Sequence, residues 1–457
     1  MQRSQGLSLR TITCVFATVA LFTPTAHSLT VSDAVQTTLE QHPDVLANVA
    51  QSRSREEEIV QAKAGYQPTI DIRVGGGVEW SDNTSTQASG KGGRVLRRRE
   101  SAIRLNQMLY DGDATKSEIE TSSARVDASV FNTHGVMESV SLQAAQAYVN
   151  MVRHIQLVGF AQTNISAHRE LARRVALSQK SGLSNKAQVA QAEGRLALAA
   201  SNLSASEGAL EDARARYLRV VGALPPNSGI VEPDAPMGPL DDPNAPTHPA
   251  STLDELTAIA VQNNPRLKAV GANIEAAQAQ RRMADSFFRP RIDLEIGASF
   301  NDNLDGRERE DNDLSAMLQL RYNLYRGGRD ESRRRQAAHL VAEAKHVRDS
   351  AQREIVEAVR LAWAALESVK AQYPQLLNHQ EASREVRNAY DKQFTLGKRT
   401  LLDRLDAENE FFESQRAATN ARLDGLIRQY QILATLGQLR EELGVQVETV
   451  SRLSPNN

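Results

Sequence analysis

Residues 291–300 read Arg291-Ile292-Asp293-Leu294-Glu295-Ile296-Gly297-Ala298-Ser299-Phe300, with apolar and polar side chains in near-perfect alternation. Successive side chains of a strand point to opposite faces, so this stretch predicts a strand with one apolar and one charged face. A partner run at about 314–325 sets Ala316, Leu318, Leu320, Tyr322 and Leu324 against Met317, Gln319, Arg321 and Asn323, and the polar stretch Asn301 to Asp313 joins the two. The first half carries the same design: Ile70, Ile72 and Val74, then a polar loop from Asp82 to Gly93, then Ile103, Leu105 and Leu109, with strands expected at about 68–82 and 101–111. In a soluble sandwich such apolar faces form the core; in a transmembrane barrel they meet lipid and the charged faces line water. Trp80, Tyr110 and Tyr325 stand at strand ends, where interfacial aromatic girdles form. Arg94 and Arg97 to Arg99 lie beside an outer loop, placed either to meet lipopolysaccharide phosphates or to make a solvated charged rim.

The strand pairs belong to a duplication. A shift of 222 residues superposes Pro43, Pro68, Asp71 and Gly75 on Pro265, Pro290, Asp293 and Gly297; a shift of 215 superposes Leu105, Tyr110, Gly112, Gly182, Glu193 and Gly222 on Leu320, Tyr325, Gly327, Gly397, Glu408 and Gly437. Repetition through helix-like and strand-like stretches alike predicts two structurally equivalent halves, 29–222 and 252–443. Each half begins with an amphipathic helical pattern, expected at about Ser32 to Ala64 and Leu253 to Ser286 and stopped by Pro68 or Pro290. After the strands, helical pattern runs unbroken from about Ala114 to Lys180 and from Arg329 to Thr395, a length of about 100 Å at the rise of an α-helix. Turns at Gly182 and Gly397 lead to return helices at about Lys186 to Val221 and Leu401 to Leu436. The leading and returning helices, end to end, match the long one as a single partner.

Between the halves, the linker 223–251 holds eight of the fifteen prolines and is read as a strap on an outer surface. Residues 444–457 form a tail. At the other end Arg3 and Arg10, the apolar run Ile12 to Phe22 and Ala26-His27-Ser28 read as a secretory signal, residues 1–28. The one cysteine, Cys14, falls inside that signal, which leaves no disulfide or thiol chemistry in the mature chain. Formal net charge is −2, so there is no basic field for nucleic acid. The nine histidines show no His-Glu-x-x-His spacing, and neither a Gly-x-Ser-x-Gly elbow nor a phosphate loop occurs, so no catalytic residue, metal site or cofactor is expected. Four strands cannot close a barrel, and an open edge in lipid leaves backbone groups unpaired. The chain must therefore associate with copies of itself if its strands span a membrane.

The duplicated halves, Pro68 and Pro290 before the strands, the strand exit Leu324-Tyr325-Arg326-Gly327-Gly328 and above all Gly397-Lys398-Arg399-Thr400-Leu401-Leu402-Asp403-Arg404-Leu405-Asp406-Ala407 give the chain its resemblance, over essentially the whole mature length, to the TolC family of outer-membrane channel proteins. The resemblance implies a mainly α fold with a transmembrane β-barrel contribution: a homotrimer with a twelve-stranded barrel on a twelve-helix tunnel through the periplasm. It also implies an entrance shut at the hairpin tips, a periplasmic adaptor protein, and an inner-membrane ABC transporter or proton-driven pump.

Asp403 and Asp406, three residues apart, share a helix face. The resemblance places the family's entrance aspartate rings on them, although Thr400 followed by Asp403 is also a helix-capping pattern. Arg399 matches the family's latch arginine, whose expected acidic partner falls here on Gln188, leaving an uncharged hydrogen bond; Phe394 stands where the latch often has a tyrosine. The tips Gly182, Leu183, Gly397 and Arg399 are the implied adaptor contacts. The segment Asn185 to Leu196 resembles a branch found beside exporters of large adhesins, which favours a type I secretion duct over a drug-efflux duct. A non-transporting periplasmic coiled-coil scaffold with a soluble β-sandwich is the remaining reading.

Overall fold

The computed structural model describes residues 29–446 except 89, 91–92, 183, 226–228 and 241–251. The expected signal at 1–28 and most of the tail lie outside the described residues. Helix α1 spans Val31–Gln41 and α2 Pro43–Lys63. Strand β1 (Thr69–Ser81) follows, then a short helix α3 (Thr84–Ala88), β2 (Arg94–Tyr110), the long helix α4 (Ala114–Lys180) and its return α5 (Lys186–Val221). The second half repeats the order as α6 (Leu253–Asn263), α7 (Pro265–Ser286), β3 (Arg291–Asp302), β4 (Glu310–Arg321), α8 (Arg329–Thr395) and α9 (Leu401–Leu436), closed by α10 (Leu439–Glu442).

The leading helix of each half, read from sequence as one element, is two. His42 and Asn264 are extended (ψ 126° and 124°) because the residue before a proline is excluded from helical geometry, and Pro43 and Pro265 then occupy the first position of the next helix. His42 and Asn264 accept the freed amides of Asp44 and Arg266, so the break leaves few orphan donors.

Three strand bounds also differ from expectation, one being the start of β4 at Glu310, opposite Asp302, rather than about 314. β2 begins at Arg94 rather than about 101 because Val95, Arg97 and Arg99 pair with Trp80, Val78 and Gly76 of the long β1. β4 ends at Arg321 rather than 325: β3 starts at Arg291, opposite Arg321, so nothing remains to pair Tyr322 to Tyr325. Tyr325 therefore lies beyond the sheet, 84% exposed. A bulge between Met108 and Tyr110 takes Leu109 out of the strand alternation.

The four strands form one antiparallel sheet in the order β1-β2-β3-β4. Register places Ile70, Leu105, Ile296 and Ala316 in one row, Ile72, Ile103, Ala298 and Leu314 in the next, and Leu294 with Leu318 below. Together they make one apolar face. No second layer covers it: Ile72, Leu314 and Leu318 are 74%, 80% and 67% exposed. A soluble sandwich requires that face to be core, so the sandwich expectation is overturned. The opposite face carries Asp71, Arg73, Arg104, Asp293, Glu295 and Gln319, with Arg98 bridging Glu79 at 3.0 Å and also pairing with Glu100.

The helices form an arc four staves wide. α4 packs against α2 and α5 on one side and α7 and α9 on the other, and α8 lines the far edge against α7 and α9. At the level where α5 ends and α2 begins, α1, α6, α10 and the linker add a second layer. There Val35 and Leu39 pack with Met137, Tyr148, Tyr217, Leu423 and Leu433, while Leu256 packs with Val359, Leu366, Ile432 and Leu436. The linker is pinned to α9: Gln429 accepts from the Met237 amide (3.1 Å) and donates to the Gly238 carbonyl (2.8 Å). Leu240 seats directly on Gly425, where a Cβ would lie 2.3 Å from its methyl, so any larger residue there would push Leu240 from its seat.

Buried Glu138 ties α10 to α4, accepting from the Leu439 amide (3.1 Å) and Arg440 Nε (2.9 Å). Removing one partner of a buried pair leaves the other uncompensated, so Glu138→Ala is expected to cost about 3 kcal/mol. A lowered urea midpoint with unchanged m-value reads this; an unchanged midpoint rules out the role.

Candidate functional site

The two hairpin tips lie where α4 turns into α5 and α8 into α9. Gly182 (φ 73°) and Gly397 (φ 70°) adopt the left-handed conformation that ends each long helix and reverses the chain. Leu183 lies outside the described residues. Each return helix opens with a capping box, Asn185 with Gln188 and Thr400 with Asp403, which satisfies orphan amides of the first turn.

This local chemistry separates the expected latch residues. Gln188 is occupied within its own tip, its Oε1 accepting from Ser184 Oγ (2.6 Å) and the Asn185 amide (3.3 Å). Arg399 is held inside the other tip, donating to Gln393 Oε1 (2.9 Å), lying over the Tyr390 ring (4.3 Å) and standing 3.9 Å from Asp403. Within one chain the two form no pair. Phe394 packs into an apolar seam where Leu401 and Leu405 of α9 meet Leu171 and Val175 of α4 and Ala192 of α5.

Asp403 caps its helix, as the Thr400 pattern suggests. Its Oδ2 accepts from Thr400 Oγ1 (2.8 Å) and the Thr400 amide (3.2 Å), which, with Arg399, hold its carboxyl below the usual range. Its other oxygen has no hydrogen-bond partner among the described residues, so capping and an exposed charge coexist. Asp406 is bound across the seam: its Oδ1 accepts from Arg195 on α5 at 2.7 Å. Arg195 was not among the sequence candidates. Its signal was a cation on the same face as Gln188, seven residues on, but nothing local names a partner 211 residues away.

One turn further in lies a buried polar layer that sequence reading also missed. Arg404 bridges Glu408 (2.6 Å) and Asp391 (2.9 Å), stapling α9 to α8 within one hairpin. His168 of α4 is buried beside it; burial lowers its affinity for a proton, Arg404 and Arg195 add to this, and Glu408 opposes. The apolar seam and the Arg195–Asp406 pair thus join the two hairpins, whereas the Arg404 network acts inside one. Among the described residues no cluster of three or more His, Asp or Glu side chains could hold a metal, and no helix is long and apolar enough to cross a membrane.

A family model described as outer membrane efflux protein matches residues 34–223 and 256–438. Outer membrane efflux protein BepC of Brucella suis biovar 1 is 25% identical over 424 residues, covering 92% of this chain and 88% of its own length. Alkaline protease secretion protein AprF of Pseudomonas aeruginosa is 24% identical, covering 91% of this chain and 86% of its own. In fold, the chain is similar to the open-state crystal structure of the Neisseria gonorrhoeae MtrE outer membrane channel, with TM-score 0.73, 18% identity, and coverage of 90% of this chain and 89% of that one.

Proposed function

The chain belongs to the outer membrane efflux protein family, a family of channels rather than enzymes, and from that premise we propose that it is the exit duct of a type I protein secretion machine. It is an outer-membrane exit duct with a TolC-like fold. The observation that carries the duct is the uncovered apolar face of an open four-stranded sheet joined to helices of 67 residues each. That face finds an apolar neighbour only in lipid, and the unpaired edges of β1 and β4 find partners only in further copies.

Three copies supply twelve strands and twelve staves, a homotrimer whose edge strands pair with one another and whose α8 meets the α2 and α5 edge of the next copy. The hairpin tips then converge at the periplasmic end, where Asp403 and Asp406 form rings of three carboxylates that attract cations at short range. Arg399, Gly182 and Gly397 sit at the surface offered to a periplasmic adaptor, with an inner-membrane ABC transporter behind it. Secretion is favoured over small-molecule efflux by the Asn185 to Leu196 segment, and AprF bears the name of a secretion protein while BepC is named for efflux.

In the source organism, a deletion of this gene is expected to remove at least one large protein from the culture medium and leave drug susceptibility within about twofold of the parent. Unchanged secreted proteins with strongly raised drug susceptibility would transfer the assignment to efflux.

A further inference from the structure

The four arginines at the start of β2 do not form one patch. Register sorts them by face. Arg98 lies on the charged face, where it meets Glu79 and Glu100, and Arg94, which pairs with Glu308, stands opposite Ser81. Arg97 and Arg99 point the other way, aligned with Val78 and Gly76 of β1 on the face that carries Ile72, Ile103, Leu294 and Leu318. Burial follows the same alternation: residues 95, 97 and 99 are exposed, and 94, 96, 98 and 100 are less so.

Along β2 this outward face reads Leu105, Ile103, Ser101, Arg99, Arg97 and Val95, so the two arginines stand directly above the apolar band. Five register rows, from Tyr110 to Ser101, make that band about 25 Å tall at strand rise once the strands tilt, the height of a barrel's lipid belt. Trp80, 64% exposed and aligned with Val95 in the row beyond Arg97, sits where interfacial aromatics gather. Arg94 and Arg98 have carboxylate partners. Among the described residues neither Arg97 nor Arg99 lies within ion-pair distance of one, although Asp302 stands opposite Arg99. Opposite Arg99, Gly76 puts no side chain beside its guanidinium.

We propose that Arg97 and Arg99 form a binding site for the phosphate groups of outer-leaflet lipid headgroups. A guanidinium offers a planar pair of donors to a phosphate. Its place at the boundary of an apolar face fits a ligand with a phosphorylated head and acyl chains, and each of the three copies carries one site. The inference rests on the barrel reading above.

The test uses the full-length trimer in detergent, with binding of diphosphoryl lipid A followed by Trp80 fluorescence and by native mass spectrometry. Near a charged lipid surface each arginine is worth about fivefold in affinity, so Arg97→Gln with Arg99→Gln is expected to weaken binding about 25-fold. Arg97→Lys with Arg99→Lys retains part of it. Arg73→Gln with Arg104→Gln removes the same charge from the opposite face and is expected to leave binding unchanged.

Equal binding by the Arg97 and Arg99 double variant overturns the proposal, as does equal loss in the Arg73 and Arg104 variant. Binding of inorganic phosphate with the same arginine dependence, without tighter binding of the lipid, assigns a free-anion site instead. A protein that is water-soluble and monomeric without detergent fails the barrel reading itself, a separate outcome.

Discussion

Leu318→Arg is expected to keep the protein out of the outer membrane, while Gln319→Arg, one residue away, assembles normally. Leu318 pairs with Leu294 on the apolar face, one row from the central row of Ile296 and Ala316. An arginine on the lipid side of a barrel costs about 2–4 kcal/mol near the midplane, and the proposed trimer carries three. The sum, about 6–12 kcal/mol, rivals the whole stability of an ordinary domain. Gln319 projects to the charged face beside Glu295, its hydrogen-bond partner, where a guanidinium gains a counter-charge. Leu294→Arg is expected to behave as Leu318→Arg. Immunoblots of outer-membrane fractions read the result. Normal assembly of Leu318→Arg means that its face does not meet lipid, and the duct reading goes with it.

The second large effect is at the tips. Arg195→Ala is expected to raise the open fraction of the reconstituted channel, because it removes an ion pair that joins the two hairpins at this seam. Arg195 and Asp406 are 33% and 54% exposed, so each bridge is worth only about 0.2–1 kcal/mol. In the proposed trimer three copies acting together give about 0.6–3 kcal/mol, which shifts the closed-to-open ratio about threefold to about 160-fold. The apolar seam of Leu171, Val175, Leu401 and Leu405 remains, so the tips loosen without coming apart. Arg195→Asp combined with Asp406→Arg restores the pair and is expected to return conductance toward the parent. Asp406→Ala opens the seam equally and, with Asp403→Ala, also weakens block by multivalent cations. Parental conductance in Arg195→Ala, or a charge swap as leaky as either single variant, removes the pair from gating.

Most of the architecture was legible from local chemistry. The long helices and returns, 114–180, 186–221, 329–395 and 401–436, run where periodicity and glycine placed them, because caps and left-handed turns are decided by a few neighbouring residues. The strand faces followed from alternation alone. What went astray depended on context: each leading helix, read as one, is divided at Pro43 or Pro265, and Tyr325 falls outside β4 because a strand extends only as far as its partner.

The chain's order of letters, taken alone, decided the duplication, the helix lengths, the two-faced strands and the capping of α9 by Thr400 and Asp403. Only the tertiary structure decided that Asp406 meets Arg195, that Glu138 holds Arg440, and that Arg97 and Arg99 part company with Arg94 and Arg98 at the lipid face. The division has one physical cause. Backbone periodicity and capping are settled within a turn or two of chain, whereas a strand's end or a salt bridge is settled by partners well beyond that range, Arg291 for Arg321 and Glu138 for Arg440.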